Sequence, residues 1–234
     1  MSPLDKALLR DLWRQKTQVL AIMVVMALGV FILVMMDGLV STLLDTRATY
    51  YERQRFADAY APLVRAPKSV VAQMDVLDEV NHSEGRLVAS AQIDTLLRVD
   101  EPPTAANITA RLISLPDFGE LRLNTILLAE GRRPSREGTD EIVVLRAFVE
   151  AQNLALGDQI KIKIQGALHE FTIVGVAMSP EFLYVTAPGE LAPDPKRFAA
   201  VWMNETALAA ALRMEGAINE ILFDLNPETK VTLA

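Results

Sequence analysis

Few side chains in this 234-residue chain have both the type and the spacing for chemistry: two histidines, His82 and His169, two adjacent carboxylate pairs, Asp78 with Glu79 and Asp140 with Glu141, and three arginines, Arg132, Arg133 and Arg136. A metal site requires several His, Cys or carboxylate ligands brought together at turn or helix spacing. His82 sits in a polar loop and His169 on the polar face of an alternating strand. Neither has a second histidine near it, nor a carboxylate at ligand spacing on a predicted helix, so both read as solvated. The carboxylate pairs make poor acid–base partners because neighbours in sequence point to different sides of a strand or helix. The arginines form a basic loop that could meet a partner or a lipid headgroup and reads first as solvated. There is no cysteine, hence no disulfide, thiolate ligand or thiol nucleophile. G-x-x-x-x-G-K-[ST], G-x-G-x-x-G and G-x-S-x-G are all missing. The expectation is a protein that is not an enzyme and carries no metal and no cofactor.

Chemistry being scarce, the elements carry the reading. Thr17 to Met36 are twenty residues without a charge, eleven of them Val, Leu, Ile or Phe. As a helix they cover about 30 Å, a bilayer's hydrocarbon thickness. A cleaved signal peptide would have a shorter apolar stretch and a small-x-small site, which "DGLVSTLLDTRA" does not supply. Lys6, Arg10, Arg14 and Lys16 precede the span and Asp37 and Asp45 follow it, so the positive-inside rule puts the N-terminus in the cytoplasm and the rest outside. Residues 1–16 read as an amphipathic helix whose Lys6, Arg10, Trp13 and Arg14 could contact the inner membrane surface or a cytoplasmic partner. Residues 37–57 continue as a stalk helix.

The first 36 residues hold four of the 23 basic and two of the 30 acidic residues, so residues 37–234 hold 19 and 28, net −9. That balance argues against nucleic acid as a partner. Residues 58–234 read as an α+β domain: a mixed or antiparallel sheet with short helices. "DAYAPLVRAP" is extended, and "SVVAQMDVLDEV" an amphipathic helix with Ser69 as N-cap. "RLVASAQIDTLLRV", "NITARLISL", the apolar run "NTILLAEG" and "EIVVL" are strands. A short helix ends near Leu156 with Gly157 as its stop. "DQIKIKIQ" and "HEFTIVGVA" form a hairpin with Ile160, Ile162 and Ile164 inward. "RFAAVWM", a helix from an Asn204 cap to a Gly216 stop, and "NEILFDL" make a strand, helix, strand unit. "NPETKVTLA" begins another helix, which points to one part of a longer polypeptide.

On "LLRDLWRQKTQVLAIMVVMALGVFILVMM", "LNTILLAEGRRP", "LALGDQIKIKI" with "FTIVGVA", and above all "SPEFLY" (Ser179, Pro180, Glu181, Phe182, Leu183, Tyr184), the chain resembles the N-terminal portion of an FtsX-like, MacB-type ABC transporter permease. The resemblance implies a permease subunit, or a fragment or decayed copy of one, in a bacterial inner (plasma) membrane. Its α+β domain would be periplasmic or extracellular. It also implies a cytoplasmic ABC ATPase as partner, membrane lipid around the span, a second permease copy or homologue, and at least three further spans. ATP-driven motion passed through the stalk would serve export or the handling of lipoprotein or envelope substrates. The alternative is a single-pass anchored binding or assembly module uncoupled from ATP, and a third reading is a secreted domain behind a cleavable signal.

Overall fold

A computed structural model describes residues 16–182, 194–226 and Thr229. The chain divides into two compact units, residues 1–50 and 51–234. In the first, one uninterrupted helix, α1 (Lys16–Arg53), begins. It is long and apolar enough to cross a membrane. Every described side chain from Lys16 to Leu43 is exposed, including Phe31 and Leu33, unlike the mostly buried core helix of a soluble protein. Asp37 and Gly38 do not break it; Ser41 and Thr42 hydroxyls donate to the Gly38 carbonyl one turn back.

The second unit contains two sheets rather than one. The strands β1 (Ala59–Pro67), β2 (Val80–Arg86) and β10 (Ala217–Leu225) form a small antiparallel sheet in the order β1-β10-β2. The larger sheet holds β3 (Val88–Leu97), β4 (Thr104–Leu115), β5 (Leu127–Gly131), β6 (Glu141–Leu145), β7 (Gln159–Ile164), β8 (Ala167–Met178) and β9 (Phe198–Asn204), in the order β5-β8-β6-β9-β4-β3-β7. It closes on itself because β8 is long enough to serve three neighbours. Residues 167–172 pair with β7, residues 172–177 run parallel to β6, and residues 175–178 pair with β5. The result is a barrel, β8-β6-β9-β4-β3-β7, with β5 as a flap on its rim.

Alternation dictates what fills the barrel. Ile160, Ile162 and Ile164 of β7 point inward and are buried, as expected, while β9 is buried at all seven positions because both its faces are covered. Trp202 and Phe148 lie at the centre. Phe148 and Val149 come from α3 (Arg146–Gln152), and Leu208 and Leu212 from α4 (Glu205–Leu212).

Glycines allow two close passages. Gln165 and Gly166, both at positive φ, make the two-residue turn between β7 and β8. Gly131 and Gly175 face each other across β5 and β8. A Cβ on Gly175 would lie 2.3 Å from the Arg132 carbonyl oxygen. The "LGD" turn is pinned by Asp158, which is buried and accepts from the backbone N–H groups of Val99 (3.0 Å) and Ala155 (2.9 Å), tying the start of β7 to the end of β3.

Several elements differ from the sequence expectations. The helix expected over 69–80 is only α2 (Ser69–Met74), with Lys68 rather than Ser69 at the N-cap position, no side-chain capping bond and no buried residue. It stops because Asp75 turns away to accept from the Ser83 N–H (2.7 Å) and hydroxyl (2.6 Å). His82, expected in a loop, lies on β2. α3 ends at Gln152 with Asn153 in the left-handed conformation, and Gly157 turns the chain one loop later. Arg213, not Gly216, ends α4. Asn204 precedes α4 as expected, but its side-chain amide donates to the Ser135 and Gly138 carbonyls instead of capping. β9 and β10 belong to different sheets. The terminal helix predicted from Asn226 lies outside the described residues, apart from Thr229.

Candidate functional site: a charged seam

The small sheet presents its Arg86, Glu220, Glu84 and Leu222 face to the barrel. Arg86 ends β2 and stands directly opposite Glu220 of β10 in the strand register. Both are nearly inaccessible, at 5% and 7% exposure. Arg86 Nε donates to Glu220 Oε2 (2.6 Å), and its two terminal nitrogens donate as a fork to Glu181 Oε2 (2.8 Å) and Oε1 (2.6 Å). Glu220 Oε1 accepts from Arg111 of β4 (3.1 Å). Four buried or half-buried charges, two of each sign, therefore meet where the two sheets touch. Burial opposes the Arg86 charge, but the hydrogen bonds and charges of Glu181 and Glu220 more than offset this and hold the guanidinium above its ordinary value.

The seam continues on either side. Glu84 Oε2 accepts from the backbone N–H groups of Leu123 (2.7 Å) and Arg122 (2.9 Å). Burial pushes this carboxyl above its usual range despite those bonds. The Tyr60 hydroxyl accepts from the Asn124 amide (3.0 Å). Its pKa is pushed up to about 12, first by burial and then by the Glu181 charge. Lys68 pairs with Glu205 at 2.6 Å across a crevice of about 360 Å³. The apolar contribution is slight: Leu222 meets Leu123 and Ala57.

Glu181 belongs to the motif on which the resemblance chiefly rests. Pro180–Phe182 is a single 3₁₀ turn after β8. Ser179 and Pro180 are buried, and Phe182 stands edge-on to Trp202 at 5.7 Å and tilted against Phe198 at 6.1 Å. The turn is thus held by aromatic packing on the barrel side and by Arg86 on the other. Leu183 and Tyr184 lie outside the described residues, as do Lys6, Arg10, Trp13 and Arg14.

The other candidates disperse. Among the described residues no group of three or more His, Asp or Glu could hold a metal. His169 stacks on Phe171 along β8, and His82 is exposed on β2. The arginine loop spends its cations internally. Arg132 forks onto Glu141 (2.8 and 2.6 Å), Arg133 reaches Glu120 (3.3 Å), and Arg136 lies 4.7 Å from the ring centre of Phe118. Arg132 and the Ser135 N–H draw the Glu141 carboxyl down to about 2. Sequence reasoning missed Arg86, Arg111 and Glu220. The available signal was a charge inside otherwise apolar strand text, as in "NEILF" and "GRLVA".

No curated protein sequence matches the chain significantly. Among solved structures it is similar to the periplasmic region of MacB from Actinobacillus actinomycetemcomitans, at 12% identity and a TM-score of 0.42, covering 73% of this chain and 70% of that one. It is also similar to the extracellular domain of the noncanonic ABC-type transporter YknZ from Gram-positive bacteria, at 13% identity and a TM-score of 0.43, covering 72% and 78%. Residues 19–234 match the MacB-like periplasmic core domain. With nearly its whole length matched, apolar helix and folded domain alike, this chain belongs to the MacB-like periplasmic core domain family of ABC transporter permeases.

Proposed function

We propose that the chain is the N-terminal part of a permease subunit. α1 would cross the bacterial inner membrane with its N-terminus in the cytoplasm, and the two-sheet domain would work outside. ATP would be hydrolysed by a separate cytoplasmic ATPase subunit, whose motion α1 would carry outward for export or for handling lipoprotein or envelope substrates. The family's own pattern would supply further spans and a second permease copy or homologue. The observation that carries this reading is the continuity of α1: one helix runs from Lys16 through a bilayer's length of exposed apolar side chains to Arg53, and from residue 19 onward it lies within the family match. A helix without a break can pass on a displacement along its axis, whereas a flexible linker would absorb it.

Because the chain has no cysteine, single cysteines report topology cleanly. In intact spheroplasts, a membrane-impermeant maleimide should label Leu168→Cys but reach Ser2→Cys only after permeabilisation. The opposite pattern overturns the orientation. Coupling is tested by co-expression with the ATPase subunit. Co-purification, and ATPase activity altered by Gly-Gly insertion after Gly38, are expected; if neither occurs, the single-pass binding or assembly module is the better reading.

A further inference from the structure

We infer that Arg86, Glu181, Glu220 and Arg111 form a latch, which holds the small sheet against the barrel and can release it with one cation and one anion of the four left on each body. The inference is independent of ATPase coupling and concerns residues 51–234 alone.

Three observations carry it. First, the two bodies do not share a core. The barrel's apolar cluster draws no residue from β1, α2, β2 or β10, and among the described residues the only buried apolar cluster across the seam is Ala57, Leu123 and Leu222. Interfaces that are small and polar are the ones across which bodies move. Second, the connections are short and few. Leu87 alone separates β2 from β3, and Arg213–Gly216, with Arg213 and Gly216 at positive φ, separates α4 from β10. Third, the charges are distributed evenly. Arg86 and Glu220 are cross-strand neighbours on the small sheet, whereas Arg111 and Glu181 both belong to the barrel. When the seam opens, Arg86 keeps Glu220, and Arg111 and Glu181 stay on the other body. Breaking a buried pair is costly chiefly because it strands a charge. Of these four, each side retains one cation and one anion, so the cross-seam bonds Arg86–Glu181 and Arg111–Glu220 can be surrendered together; the further cross-seam pair, Lys68–Glu205, has a half-exposed cation that water can take over.

This distribution predicts that two chemically identical substitutions act differently. Glu181→Gln removes the fork across the seam and leaves Arg86 its partner on the sheet, so it should open. Glu220→Gln removes the on-sheet partner and the single, longer Arg111 ion pair but leaves the two-bond cross-seam fork, so it should stay closed.

The test uses the full chain in nanodiscs, with spin labels at Val64→Cys on β1 and Leu168→Cys on β8. These positions are 96% and 53% exposed. Pulsed electron–electron resonance should give one narrow distance in the parent and in E220Q. E181Q, and E181D whose shorter arm cannot make the fork, should add a longer distance while circular dichroism still shows a cooperative melt. Any other pattern overturns the latch. That includes identical behaviour of the two glutamates, a single narrow distance in E181Q, and loss of cooperative folding in both Glu181 variants.

Discussion

At the scale of single residues, two titrations are predicted. Glu141 is held down to about 2 by Arg132 and the Ser135 N–H. A depressed carboxylate contributes above its unfolded value of about 4.3 and loses its contribution as pH falls through the folded one. The loop from Gly131 to Glu141 should therefore stay closed at pH 5 and open between about pH 4 and pH 2, read as loss of protection of the Ser135 amide. Glu141→Gln should open it at neutral pH. The pair is largely solvated, so global stability should change little. Tyr60 behaves oppositely. Its phenol is raised to about 12, so the stabilisation present below the unfolded value of about 10 fades as pH rises towards 12. Ultraviolet titration should show a late-ionising phenol in the folded protein, and Tyr60→Phe should abolish that late step. Neither shift was legible from sequence: Glu141 lies nine positions from Arg132, and Tyr60 is 64 from Asn124. Residue types were visible, but the partners were supplied by folding.

At the scale of elements, the approach of β5 to β8 is the tightest feature. Gly175→Ala would push a methyl group into a backbone carbonyl at 2.3 Å, which cannot move as a side-chain tip can. It should cost about 1–3 kcal/mol or more by overpacking, measured by urea unfolding, and should expose the β5 amides first. Strands with strict alternation, such as β7 and the first half of β8, could be read directly, because a half-buried strand prints its period in the sequence. β2 could not. "VNHSEGR" is polar with a glycine, since one face meets charges in the seam and the other packs closely under α2, with Val71 and Ile218 crowding Gly85. α2 was overestimated because an apolar period continued past the residue where Asp75 reaches for Ser83. Tertiary hydrogen bonding ended the helix where local propensity would have extended it. The seam was hidden for the same reason that it matters: its charges come from four separate elements.

At the scale of the whole molecule, the long apolar helix and the α+β class were readable from hydropathy and alternation, whereas the division into two sheets was not. Nothing in "NEILFDL" says that it joins strands 134 to 164 residues upstream rather than the strand just before it. That topology governs how the protein is built. β1 and β2 do not pair with each other; both wait for β10, which lies between them. The barrel's strands and helices are all present in the chain before β10 begins, and its hairpins close over short loops. Pulsed hydrogen exchange during refolding should find β7 and β8 protected before β1 and β2. During synthesis β1 and β2 emerge early and must remain unpaired until their shared neighbour arrives. Pro62 and Pro67 in β1 and the polar text of β2 would then keep them from pairing with the wrong chain during that wait.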